Sequence, residues 1–415
     1  MIDHANKQRG VQYYIIFLVL VNVVNWLFLF VTSHYIGDFA GLRVSVEPSV
    51  VLLMLVASLL PFLFLGHLLK KTSSRIAHAA HFNEKAWIIF SVILFITNLA
   101  FIEKFKAGVL GVVWSIDSPI LKLIYAVLSR IRYEFLAVFL ISMAKKNRTI
   151  LLQLVMLFVV AAAKHSIFGF YLAIIILVVV KLSTSGNIRR KLGILVFVVL
   201  LSMPLGVLLF QVRDTMRGSS IAVNPEEALS RFAGRVSSLS NTLVSIQESY
   251  FYDTGNRVTA DAFFRQALSA LFGNWAKPAV TIEQFYQMYY GRPLATSSIM
   301  PGFPGVIIFL LRKNILYAIS SLVLTALAIQ LSFRITAKKF GAASLNSAVV
   351  LYSIPVIAGV AYDIFSVLLF FVILVIIESI SRIRLGWARS DSYEEADDLK
   401  NITSDSACTE SLRLR

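Results

Sequence analysis

Thiols are almost absent from this 415-residue chain: its one cysteine, Cys408, stands in a polar C-terminal stretch. That excludes an intrachain disulfide framework and a thiolate metal cluster. Charge is scarce as well, with 15% of residues Asp, Glu, Lys or Arg against 58% hydrophobic. A water-soluble domain of this length has no core large enough to hide so much apolar surface, and the mean hydropathy of +0.77 agrees. The first apolar run, 11–32, lacks a small-residue cleavage site and reads as a retained membrane anchor. The formal charge of +16 does not indicate nucleic acid. Cytoplasmic loops of multi-pass membrane proteins collect Lys and Arg, and that accounts for it.

A helix needs about 20 apolar residues to cross the hydrocarbon. Length and loop charge together give about ten spans, near 11–32, 49–69, 86–102, 120–144, 149–163, 166–181, 192–212, 315–333, 346–361 and 364–381. Basic clusters then alternate onto one side: Lys7/Arg9, Lys70/Lys71/Arg75, Lys145/Lys146/Arg148, Arg189/Arg190/Lys191, Arg334/Lys338/Lys339 and Arg382/Arg384. That side is the cytoplasm, and both termini are expected there. The fold expected is all-α and polytopic. Residues 1–212 carry about seven spans, 213–297 a large external loop, 298–313 a re-entrant segment, 314–384 about three spans, and 385–415 a polar tail.

The re-entrant segment lies within ATSSIMPGFPGVIIFLLRKN, 295–314. Its apolar core, Val306 to Leu311, is too short to cross a bilayer. Pro301-Gly302 and Pro304-Gly305 precede it, and Arg312 and Lys313 stop it. Were it a full span, Arg334, Lys338 and Lys339 would fall outside the cell. A dip into the outer leaflet restores the charge rule, and Arg312 and Lys313 then face an external cavity; a short tilted span is the alternative.

The external loop has structure of its own. Asn224-Pro225-Glu226-Glu227 reads as a helix start, and Leu229, Phe232, Val236, Leu239, Leu243 and Ile246 follow as one apolar stripe. Arg231, Arg235, Ser238 and Thr242 share another face. Val258, Ala262, Phe263, Leu268, Leu271 and Phe272 suggest a second amphipathic helix, with Trp275 as an interfacial anchor. Loop and dip also carry Arg213, Arg217, Arg257, Arg265, Lys277 and Arg292. Such an arginine-rich outer surface suits a multiply charged anion such as a phosphate. Pairing with Asp214, Glu226, Glu227, Glu248, Asp253, Asp261 and Glu283 is the alternative. In the fourth span, Arg130, Arg132 and Glu134 stand at membrane depth. Either Arg130 and Glu134 form an i,i+4 ion pair, or Arg130 or Arg132 lines the base of the external cavity, with Lys164 and His165 at its rim.

On LSRFAGRVSSLSNTLVSIQ (229–247), FFRQAL (263–268), SSIMPGFPGVIIFLL (297–311) and the overall layout, the chain resembles the Wzy-type O-antigen and capsule repeat-unit polymerases. The resemblance implies a GT-C-like membrane glycosyltransferase at the periplasmic face of the bacterial inner membrane, needing no cofactor or metal. Its substrates would be undecaprenyl-diphosphate-linked oligosaccharides as donor and acceptor, met in the membrane lipid, with a polysaccharide co-polymerase setting chain length. Family arginines carry over to Arg231 and Arg235. Arg130, Arg132, Arg213, Arg217, Arg265 and Arg312 match by location as diphosphate ligands. Asp253, Asp261 or Glu283 would accept the proton from the attacking hydroxyl. Tyr286, Tyr289 and Tyr290 would offer flat surfaces to sugars. An O-antigen ligase would carry a histidine in the loop, and none follows His165. A flippase or other transporter would show matching broken helices in two halves, whereas the dip and long loop occur once.

Overall fold

The computed structural model describes residues 4–39, 42–74, 82–109, 115–184, 239–247, 258–289 and 300–381, with scattered positions between 189 and 237. Among the described residues the regular elements are helices, and the only β pairing is an isolated bridge between His34 and Arg43. In chain order they are α1 (His4–Thr32), α2 (Pro48–Ser73), α3 (Glu84–Phe105), α4 (Pro119–Ile131), α5 (Tyr133–Met143), α6 (Asn147–Ala163) and α7 (Ile167–Thr184). Then come α8 (Leu239–Gln247), α9 (Ala262–Phe272), α10 (Ile282–Tyr289), α11 (Phe303–Lys313), α12 (Ile315–Phe340), α13 (Ser344–Ala358) and α14 (Ala361–Ser381). Residues 1–370 make one compact unit; of the second, 371–415, the described part is the end of α14.

Five helices among the described residues are long and apolar enough to cross a membrane: α1 from Gly10, α2, α3, α12 and α14. Three more, α6, α7 and α13, are apolar and shorter. Their outward residues are themselves apolar, as at Val24, Phe30, Leu53, Ile89 and Leu316. Water would not tolerate such a surface, and lipid does. The chain is therefore an all-α, multi-pass membrane protein. Nine of the spans expected from sequence fall on helices; the expected span 192–212 lies mostly outside the described residues.

Local sequence sets the helix ends. Asn83 accepts a hydrogen bond from Ala86 N at 3.3 Å to open α3, and Asn314 accepts one from Leu316 N at 2.9 Å to open α12. Pro48 and Pro119 stand at the first positions of α2 and α4, where a missing N–H costs nothing. Lys70 and Lys71, and Lys338 and Lys339, close α2 and α12 with charge that suits the helix dipole.

Packing centres on two helices apolar on all sides. Every residue of α5 is buried, and in α13 all but Ile354 are. α5 lies among α3, α6, α7 and α13. In lipid the hydrophobic effect does not draw helices together, so close approach and polar ties matter more. α12 buries a stripe of small residues, Ala318, Ser321, Thr325, Ala328 and Ser332, and packs on α11, α13 and α2. Tyr14 and Ser353 share a hydrogen bond of 2.9 Å between α1 and α13. Gln153 donates to Ser91 at 2.8 Å between α6 and α3.

The structure revises one expectation and adds detail to two others. The fourth span is not one helix: it breaks at Arg132 into α4 and α5. The apolar part of the 298–313 segment is a helix, α11, of 11 residues. At about 1.5 Å per residue it is too short to cross. It joins α12 directly through the extended residue Asn314. α8 is enclosed, with Leu239 through Val244, Thr242 among them, buried against α11, α2 and α1.

Candidate functional site: an ion-paired break beneath the loop helices

Arg132 occupies the break between α4 and α5 with φ 45° and ψ 100°, a left-handed conformation that costs a non-glycine residue about 1–3 kcal/mol. Its carbonyl accepts from Phe135 N and Leu136 N at 2.9 and 3.2 Å, so α5 begins at the arginine itself. α5 is only 11 residues long. It therefore spans about half the hydrocarbon, and its N-terminal end opens within the bundle.

The guanidinium of Arg132 donates from Nη1 to Asp363 Oδ1 at 2.8 Å. It also lies over the rings of Phe135 and Tyr362, 5.0 and 5.9 Å from their centres. The two side chains are 31% and 33% exposed. Exposed ionic groups on apolar helices face water rather than acyl chains, because the alternative costs several kcal/mol per charge. Glu134, in the first turn of α5, is paired with Lys164 Nζ at 2.7 Å. The lysine ends α6, and both groups are largely enclosed.

Above the break sit the loop helices. Arg130 donates from Nη1 to the carbonyl of Ser269 at 3.3 Å and to that of Ala270, so it caps the C-terminal turn of α9. On the same helix Gln266 donates to Glu283 Oε2 of α10 at 2.8 Å. Glu283 Oε1 is sealed from solvent without a regular hydrogen bond. Burial pushes the Glu283 carboxyl above the usual carboxylate range, and the negative charge of Asp363 adds to this. Gln266 and the nearby Thr281 hydroxyl oppose it in part. The break, Asp363 and the two loop helices thus form one continuous ionic neighbourhood.

Several expected roles move accordingly. Arg130 does not pair with Glu134: its side chain reaches α9, and Lys164 takes the carboxylate. Arg132 pairs with Asp363, whose charge also reaches Glu283, while Lys164 pairs with Glu134 in the first turn of α5. Asp261 is half-buried ahead of α9, and its carbonyl accepts from the N–H of Arg265 at 2.9 Å. Arg265 itself lies half-buried on α9, and Arg312 is exposed at the end of α11, where its charge suits the helix dipole. Tyr286 is not a sugar platform, being 1% exposed and packed against Phe285 and Phe309. The expected apolar stripe of α9 lies on two faces: Phe263 is buried, whereas Leu268 and Phe272 point outward beside the exposed Trp275. Arg213, Arg217, Arg231, Arg235, Asp253 and Tyr290 lie outside the described residues.

Asp363 escaped the sequence reading although it carried a signal. It is the only acid between Glu283 and Glu378, and it stands at the head of an apolar run. An ionisable residue at the edge of a span marks a site by default. Among the described residues no group of three or more His, Cys, Asp or Glu side chains converges on a metal-sized space. No protein-family model, curated protein or solved structure matches the chain.

Proposed function

We propose that this protein is an oligosaccharide repeat-unit polymerase of the bacterial inner membrane. It would move a growing glycan from its undecaprenyl diphosphate onto the next lipid-linked repeat, at the periplasmic face. The reading rests on the resemblance of 229–247, 263–268 and 297–311, with about ten spans, a large periplasmic loop over 213–297 and a dip at 298–313. In this topology the break at Arg132, the end of α6 at Lys164 and the head of α14 at Asp363 all belong to the outer half of the membrane.

The observation that carries it is the group of cations at the broken helix. Arg132, Lys164 and the N–H groups opening α5 supply positive charge where a lipid diphosphate would lie. Asp363 and Glu134 hold those cations in place when no phosphate is bound. A half-length helix pointing its positive end at an anionic group is a recurrent membrane solution to this problem. Arg231 and Arg235 join as further diphosphate ligands, and a polysaccharide co-polymerase limits the chain length.

The test is a gel of surface polysaccharide from a strain lacking the gene. The expected result is a single repeat unit on the lipid core, with the long ladder gone. Loss of even that single unit would favour ligation or flipping and remove the polymerase reading.

A further inference from the structure

The proton of the attacking hydroxyl must go somewhere, and the structure separates the three carboxylates linked to the break, Glu283, Glu134 and Asp363. Glu283 is poorly placed: Oε2 is held by Gln266 and Oε1 has no contact with solvent. Glu134 is tied to Lys164 and only 11% of its side chain is exposed. Asp363 differs from both. A third of its side chain is open, and Oδ1 is fixed by Arg132 at 2.8 Å. Among the described residues Oδ2 has no hydrogen-bond partner. The same guanidinium that orients this carboxylate is the cation best placed for a phosphate oxygen. An accessible base and an anion ligand thus share one contact. Two carboxylates in unlike settings commonly divide the work, the open one reacting and the sealed one holding position.

We propose that Asp363 is the general base of glycan transfer, accepting on Oδ2 the proton of the acceptor sugar's hydroxyl while Arg132 bridges it to the departing diphosphate. The assignment rests on the polymerase reading. In the step, the acceptor oxygen forms a bond to the anomeric carbon of the donor. The bond from that carbon to the phosphate oxygen breaks, and its electron pair leaves with the diphosphate. The hydroxyl proton passes to Asp363 and is later released to water. Negative charge grows on the phosphate as it is neutralised on Asp363, so Arg132 is never left without a counter-charge. The strained backbone at Arg132 fits this role, because it fixes the guanidinium between the two partners.

The test uses the full-length protein in the deletion strain, with membrane protein level and polysaccharide ladder read together. Wild-type gene must restore the ladder; if it does not, the polymerase reading fails and the base assignment falls with it. Given restoration, Asp363→Asn is expected at normal level with polymer reduced by at least about a hundredfold. The charge swap Arg132→Asp with Asp363→Arg is expected to stay inactive, since it rebuilds an ion pair but not the base. A ladder from Asp363→Asn, or one restored by the swap, would overturn the assignment while leaving the polymerase reading intact. An Asp363→Asn protein that fails to accumulate would assign the residue to folding and overturn it too.

Discussion

Arg132 and Asp363 stand 231 positions apart in the chain and meet at 2.8 Å, joining the start of the half-length helix α5 to the head of α14. The pair is partly open to solvent, so its Coulomb energy is screened and its worth to folding is modest. Its placement at a strained backbone position points to function more than to stability.

Arg132→Gly separates these two contributions. Glycine adopts φ 45° without strain, which offsets part of the lost ion pair. Thermal unfolding in detergent is expected to shift by no more than about 1 kcal/mol, whereas polymer formation is lost. A variant that forms polymer normally would show that the guanidinium has no part in transfer.

The Glu134–Lys164 pair is better enclosed, at 11% and 18% exposure, and behaves differently. Removing one partner leaves the other charge stranded. Glu134→Gln should therefore destabilise by about 3 kcal/mol. Lys164→Met added to it should recover most of that loss, a coupling read from a double-mutant cycle of unfolding midpoints.

Glu283 gives a pH signature. Its carboxyl in the folded protein binds a proton more tightly than the ordinary value of 4.5. Above that pH the native state holds more protons than the unfolded one, so stability falls as pH rises through the folded pKa. Glu283→Gln removes this slope while keeping a partner for Gln266. The stability gain of the variant over wild type should be smallest near pH 4.5 and grow toward neutrality. A gain that stays flat with pH would contradict the burial of a titrating carboxyl there.

Gly302 and Gly359 bind the Pro-Gly segment to the end of α13. Gly302 N donates to Ala358 O at 3.2 Å, and a Cβ on Gly359 would fall 2.5 Å from the carbonyl carbon of Gly302. Gly359 also has φ +75°. Gly359→Ala is expected to cost about 1–3 kcal/mol. It should also raise protease sensitivity around 298–302, measured on solubilised protein. Unchanged stability and cleavage would mean the two segments separate readily.

Helix positions were legible because a span is a one-dimensional signal of length and polarity. α1, α2, α3, α6, α7, α12, α13 and α14 all coincide with apolar runs. The break at Arg132 was hidden because 129–135, SRIRYEF, holds neither glycine nor proline and lies between two apolar runs. That hidden turn misdirected the pairing of Arg130, since i,i+4 logic holds only within an unbroken helix. Arg132, Lys164 and Glu283 could be picked out as ionisable groups in or beside apolar segments. The links of Arg132 and Glu283 to Asp363, and of Lys164 to Glu134, depend on contacts between distant segments, which periodicity does not encode. Tyr286 erred in the opposite sense, because an aromatic between loop polars reads as exposed until Phe309 covers it.

The most direct measurement of the central claim is transfer by the purified protein. Lipid-linked repeats extracted from the deletion strain would be incubated with the protein in lipid nanodiscs and separated by size. The account expects diphosphate-linked chains of two, three and more repeats, with free undecaprenyl diphosphate released in step. Repeats that stay single, or that move only onto an added lipid A core, would contradict it.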